Sequence, residues 1–173
     1  MQPDAKQVLQ LAYVVIDLDA AVQRWLSSLG CGPFLVRRHL TVSEGLYRGR
    51  PSNVDFSMAV AQAGPVQIEL IQQHDDAPSC YRDLVPAGRE GFHHVAMITP
   101  DFDAEVARYV AQGFEVASSG LFGDVRFAYV DTSPAVGHMV ELLEDKPSIR
   151  AYFDSVKRKA GRWDGVTDPV RSM

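Results

Sequence analysis

Residues Gln10–Trp25 read QLAYVVIDLDAAVQRW, residues His94–Tyr109 read HVAMITPDFDAEVARY, and this pair of stretches decides the fold. Laid over one another they are identical at Ala12/Ala96, Asp17/Asp101, Asp19/Asp103, Ala20/Ala104, Val22/Val106 and Arg24/Arg108. Conservative pairs such as Val14/Ile98 and Trp25/Tyr109 fill the gaps. Further on, Gln67-Ile68-Glu69-Leu70-Ile71 is echoed by Met139-Val140-Glu141-Leu142-Leu143. The matches keep their order and only the loops between them change length. The chain therefore carries two copies of one module.

Each copy has the same local grammar. Val8–Ile16 is β-branched and apolar, which predicts a strand. Asp17 and Asp19 offer caps to a helix over Ala20–Leu29, which Gly30 and Gly32-Pro33 then end. Phe34–Val42, Val54–Gln62 and Val66–Gln72 read as three further strands. In the second copy Phe92–Thr99 is a strand and Asp103–Gln112 a helix, followed by strands Phe114–Ser118, Arg126–Asp131 and His138–Leu143. The expected class is α+β: two tandem βαβββ modules, 8–72 and 91–145, joined by a linker over 73–90. Residues 146–173 add a helix from Ser148 to about Lys159 and an irregular tail. A four-stranded sheet with one helix leaves a face uncovered, so the two modules are expected to form one domain over 1–173. Its shape would be a curved, half-open mixed sheet, a barrel-like trough whose inner face holds the ligand.

The composition agrees with a folded domain. Of 173 residues 46% are hydrophobic and 23% charged, enough to bury a core and too apolar for a disordered chain. A net charge of −5, spread along the chain, points away from nucleic acid as a partner. Cys31 and Cys80 cannot form a disulfide framework and match no metal knuckle. The N-terminus lacks the pattern of a secretory signal and no run is long enough to span a membrane, so the expected location is cytoplasmic.

Strand parity then nominates a site. Gln10, Ala12, Val14 and Ile16 share one face, and His94, Ala96 and Ile98 share the equivalent one. By the same alternation His93 points the other way. Gln10, Glu69, His94 and Glu141 are polar residues in apolar strands at repeat-related positions, converging on the trough. A strand Gln or Glu usually faces solvent, and a lone His is usually structural. Four together at matched positions are different, because two buried carboxylates need neutralising. A divalent cation such as Zn²⁺, Ni²⁺, Co²⁺ or Mn²⁺ would do so, with Gln10, Glu69, His94 and Glu141 as its ligands. Among other polar residues, Arg37-Arg38-His39 reads as a solvated face. Tyr47-Arg48-Gly49-Arg50 reads as a surface loop that could close over an anionic substrate, and Arg126 is a comparable candidate.

These residues carry a family likeness. LAYVVIDLDAAVQRWLSSLGCGPF in the first module, and GFHHVAMITPDFDAEVARY with AVGHMVELLE in the second, resemble the vicinal oxygen chelate superfamily. That group includes glyoxalase I, methylmalonyl-CoA epimerase, extradiol dioxygenases and bleomycin-resistance proteins. The Gly32-Pro33-Phe34 turn is most similar to the epimerase- and glyoxalase-like branch. The resemblance implies the same four metal ligands, with Gln10 where many members have His. It implies a lyase or isomerase that takes a proton from beside a carbonyl through a metal-stabilised enolate. Glu141 would be the mobile base, and Glu69 the second acid–base or a permanent ligand. A 2-oxo compound, thiol adduct or acyl thioester is the implied substrate, and a homodimer the implied assembly. A non-catalytic small-molecule binding protein is the alternative. A ring-cleaving dioxygenase is disfavoured, since it needs two His and one carboxylate.

Overall fold

The computed structural model describes residues 6–173. In chain order its first half runs β1 (Gln10–Val14), α1 (Leu18–Leu29), β2 (Phe34–Leu40), β3 (Ser43–Tyr47), β4 (Arg50–Pro51), β5 (Phe56–Ala63), β6 (Val66–Gln73) and α2 (Cys80–Leu84). The second half runs β7 (Gly91–Thr99), α3 (Phe102–Ala111), β8 (Glu115–Phe122), β9 (Val125–Asp131), α4 (Ser133–Val136), β10 (Met139–Glu144), α5 (Pro147–Gly161) and β11 (Val170–Ser172). Both long module helices start as their sequences require. Asp17 accepts from the backbone N–H of Ala20, and its repeat partner Asp101 accepts from Ala104. Gly30 closes α1 in the left-handed region, at φ 61°.

All the strands join one sheet in the order β11-β2-β5-β6-β1-β7-β10-β9-β8-β3-β4. The modules meet where β1 runs antiparallel to β7, and each of these is flanked by a parallel strand from its own module, β6 and β10. Alternation sorts the side chains. Ile68 and Leu70 pack outward with α1, Val140 and Leu142 pack outward with α3, and the intervening Glu69 and Glu141 face inward. Helix α5 lies on the concave side, where Ile149 and Val156 join the inner core of Ala12, Leu35, Met58 and Val60. The sheet is thus covered on its outer face by α1 and α3 and partly roofed on its inner face by α5. No helix among the described residues is long and apolar enough to cross a membrane.

Short helices α2 and α4 form where the sequence suggests only connections, and two further segments pair as strands where none is expected. Ser43–Pro51, expected as a loop, is a hairpin that leaves its own module and pairs antiparallel with β8 of the other. The tail after Gly161, expected to be irregular, returns along the sheet edge, and Val170–Ser172 pairs in parallel with Phe34–Val36. The indole of Trp163 sits where a Cβ on Gly32 would lie 2.8 Å from it, so the glycine at that turn makes room for the tail.

Candidate metal and substrate site

The repeat-related residues meet on the inner face. In the β1–β6 pair Ala12 lies beside Glu69, and in the β7–β10 pair its counterpart Ala96 lies beside Glu141. The small alanines leave the carboxylates room to lean over the seam between the modules. His94, fully buried, stands between them, its Nε2 3.5 Å from an Oε2 of Glu69 and 3.5 Å from an Oε2 of Glu141. Neither approach is a hydrogen bond, and Nε2 has no hydrogen-bond partner. Gln10 is buried in the lining of the same pocket, and its Nε2 donates to Gln67 Oε1 at 3.2 Å.

The orientation expected for His93 is overturned. The register of β7 on β1 jumps between Ala12, opposite His94, and Tyr13, opposite Phe92, so His93 is the extra residue of a bulge. Phe92 and Val95 face outward while both histidine rings turn inward, edge to face, with centroids 5.2 Å apart. Strand parity cannot foresee this, because the bulge is a property of the pair and not of the strand. His93 does not add a ligand atom. Its Nε2 lies 2.9 Å from the carbonyl oxygen of Cys80, and its Nδ1 lies 2.9 Å from Nδ1 of His94.

This chain of bonds fixes protons. A carbonyl only accepts, so Nε2 of His93 carries hydrogen. Burial, with the neighbouring His94 adding to it, pushes His93 down to about 3 and keeps it neutral. Its Nδ1 is then an acceptor, and Nδ1 of His94 must donate to it. Neutral His94 therefore presents a bare Nε2 to the carboxylates. Burial pulls His94 down as well, but Glu141 and Glu69 more than reverse it and set it at about 9. In the metal-free chain a proton stands on Nε2, where a cation would otherwise go. Burial raises the Glu69 carboxyl, the His94 ring opposes this, and the charge of Glu141 adds to it.

The donor set suits a divalent ion. With ligand bonds of about 2.1 Å, a tetrahedral edge is about 3.4 Å, close to both His94–carboxylate separations. The two carboxylates flank the ring, one from each module. A tighter cluster, His39, Asp55 and His74, lies at the end of β2, β5 and β6. His39 Nδ1 is 2.9 Å from Asp55 Oδ2 and its ring stacks on His74 at 4.4 Å. None of the three lines the pocket.

The pocket over Glu69 and Glu141 has a volume of about 280 Å³ and mostly apolar walls, among them Phe56, Met58, Phe127 and Leu143. Tyr129 packs its ring on His94 with centroids 4.9 Å apart. Sequence reading passed it over, although it lies opposite Glu141 in the β9–β10 ladder. Arg37, expected on a solvated face, also lines the pocket, whereas its neighbour Arg38 pairs with Asp19 outside. Arg48 is unavailable to a substrate: its guanidinium is tied to Asp83 at 2.8 Å, Glu115 at 2.6 Å and Asp131 at 2.9 Å. Arg126 is engaged outside the pocket with Asp103 and Glu144. Cys31 and Cys80 are buried free thiols.

Comparison with known proteins bears on the fold and the family. A family model described as the glyoxalase/bleomycin resistance protein/dioxygenase superfamily matches residues 9–129. Among solved structures, a hypothetical protein from Bacillus halodurans is similar at 15% identity, covering 83% of this chain and 96% of its own, with TM-score 0.57. Methylmalonyl-CoA epimerase from Mycobacterium tuberculosis is similar at 19% identity, covering 87% and 97%, with TM-score 0.54. A methylmalonyl-CoA epimerase in complex with methylmalonyl-CoA and NH4+ gives 19% identity, 82% and 96%, with TM-score 0.51. No curated protein matches the sequence.

Proposed function

The chain belongs to the glyoxalase/bleomycin resistance protein/dioxygenase superfamily, and on that premise we propose that it is a divalent-metal-dependent enzyme that removes a proton from carbon beside a carbonyl. The observation that supports this reading is the partnerless, wholly buried Nε2 of His94, standing between Glu69 and Glu141 beneath an apolar pocket. His94, Glu69, Glu141 and Oε1 of Gln10 would hold the ion. When bound, it supplies positive charge to a substrate oxygen as negative charge builds there.

The chain's own residues do the rest. Glu141 and Glu69 are the proton carriers, Glu141 as the mobile base and Glu69 as its counterpart from the other module. A carboxyl raised by burial, as Glu69 is, holds a proton more readily than one in water, which suits it to accept and return one. Return to the same carbon from the opposite side gives epimerisation, and return to the adjacent carbon gives isomerisation. The apolar walls keep water from the carbanion, and Tyr129 holds the His94 ring in place. The epimerases among the structural neighbours make acyl thioesters the first compounds to try, with 2-oxo compounds beside them.

The test is metal content followed by solvent deuterium exchange. Protein purified without chelator carries, or takes up, a stoichiometric divalent ion and exchanges the acidic C–H of a substrate. Glu141→Ala loses both properties. A chain that takes up neither Ni²⁺ nor Zn²⁺ overturns the reading. Ligand binding that survives chelator, without turnover, marks a binding protein instead.

A further inference from the structure

The pocket has one charged group that no carboxylate among the described residues answers. Of its carboxylates, Glu69 and Glu141 flank His94, and Asp124 accepts from Ser148 at 2.7 Å where α5 begins. Arg37 has no carboxylate partner among the described residues. It lies against the ring of Phe122, its guanidinium carbon 5.5 Å from the centroid, and both side chains line the pocket. A second unanswered group comes from the roof. Tyr152 on α5 lines the same space, and its hydroxyl is buried with no hydrogen-bond partner among the described residues. A buried hydroxyl left unpaired costs free energy that a ligand atom would recover.

The ladder fixes the spacing. Arg37 pairs with Met58 on β5, Met58 with Ile71 on β6, and Ile71 lies two residues along from Glu69. At about 4.8 Å per strand and 3.3 Å per residue, the Cα atoms of Arg37 and Glu69 are about 12 Å apart on one face of the sheet. The walls between are apolar. A cavity of 150 Å³ holds a benzene ring, so the 280 Å³ here holds roughly ten to fifteen non-hydrogen atoms.

We propose that the pocket takes a compact monocarboxylic acid with an apolar body, its carboxylate on Arg37 and a second oxygen accepting from Tyr152. The acid group sits at the far end of the ligand from a carbonyl, and the carbon next to that carbonyl lies beside Glu69 and Glu141. This names a substrate class for the reaction proposed above and rests on that reading for the chemistry, though not for the binding. The apolar walls and the partial roof of α5 suit the body of such an acid, so free coenzyme A serves as the comparison for affinity that does not come from them.

The probe is 4-phenylbutanoate, with its neutral isostere 4-phenylbutanamide and free coenzyme A as comparisons, titrated calorimetrically into the metal-loaded and the chelated chain. The acid is expected to bind at least about tenfold more tightly than the amide, since a guanidinium–carboxylate contact outweighs a neutral one. Arg37→Met removes that preference and Arg37→Lys restores part of it, which separates lost charge from lost fold. Tyr152→Phe weakens acid and amide alike by a few-fold. Equal binding of acid and amide, no binding of the acid, a preference that survives Arg37→Met, or coenzyme A binding as tightly as the acid each overturns the proposal. Metal uptake is measured on the same samples. A chain that prefers the acid yet takes up no metal loses the proposed reaction and keeps this ligand class.

Discussion

At the start of β1 the first module places Gln10, and at the matching point of β7 the second places His94. Their surroundings explain why the same fold uses different residues there. Beside Gln10 on the parallel strand stands Gln67, and the two carboxamides bond to each other. The counterpart beside His94 is Met139, which offers no strong acceptor. The donor on His94 is satisfied from within its own strand, by the bulge that turns His93 inward. One module answers a buried polar group with a neighbour, the other with an extra residue. The price of a disrupted ladder gives the second module a ring nitrogen with a fixed proton and a second nitrogen that faces the carboxylates, which the amide pair cannot provide.

Making the modules alike at this point is the largest perturbation. His94→Gln gives the second module the residue of the first and removes the one nitrogen donor between the carboxylates. Loss of an outer partner alone costs about 10–100-fold in metal affinity, so loss of this group is expected to cost more, read as metal retained after dialysis. If His94→Gln holds Ni²⁺ or Zn²⁺ as well as the parent chain, the two positions are interchangeable and the contrast has no chemical meaning.

The outer faces sharpen the comparison from the other side, because there the modules are equivalent. Leu70 and Leu142 follow the paired glutamates and are buried to 0% and 1% exposure beneath α1 and α3. Leu70→Ala and Leu142→Ala should each cost about 2–5 kcal/mol, measured by denaturant unfolding. Both should also leave a single transition, since β1 and β7 make the sheet continuous. Two transitions, with one module surviving, would show the halves to be separate domains.

The inner pair then gives a pH signature. His94 is raised from 6.5 to about 9 in the metal-free fold, so the stability it contributes is complete below about pH 6.5 and falls as pH rises through 9. His93, depressed to about 3, acts in the opposite sense: its contribution is present above about 6.5 and falls as pH drops towards 3. In chelator, the thermal midpoint of the parent chain should therefore decline between pH 7 and 10. His94→Gln should flatten that limb, and an unchanged slope would mean that the ring is not held charged by Glu69 and Glu141.

What the sequence made legible follows from how local each feature is. Parity along single strands was enough to turn Gln10, Glu69, His94 and Glu141 to one face, and the repeat was enough to bring them to one seam. Features that depend on two distant strands were not legible. His93 turns inward only because β7 slips on β1. Ser43–Tyr47 becomes a strand only because β8, some seventy residues later, offers it an edge. Val170–Ser172 is ordered by the free edge of β2, with nothing in three residues to announce it. The inward turn of Arg37 is hidden for a related reason. It sits in a run of three polar residues, and only the register with Met58 shows that it shares the inner face with Leu35.

The smallest test is a control in which the modules should behave alike. Asp17 and Asp101 are repeat partners, and each accepts from the N–H three residues on, at 2.9 Å and 3.0 Å. Both bonds are exposed and neither carboxylate touches the pocket, so Asp17→Ala and Asp101→Ala should each cost about 1 kcal/mol and leave metal uptake unchanged. Near-equal losses would show that the scaffold is symmetric in energy as well as in sequence, which confines the asymmetry to the inner residues around His94. A much larger loss at one cap would mean that its helix also bears on the seam, through the strand that leads into it. The difference between Gln10 and His94 could then not be assigned to those side chains alone.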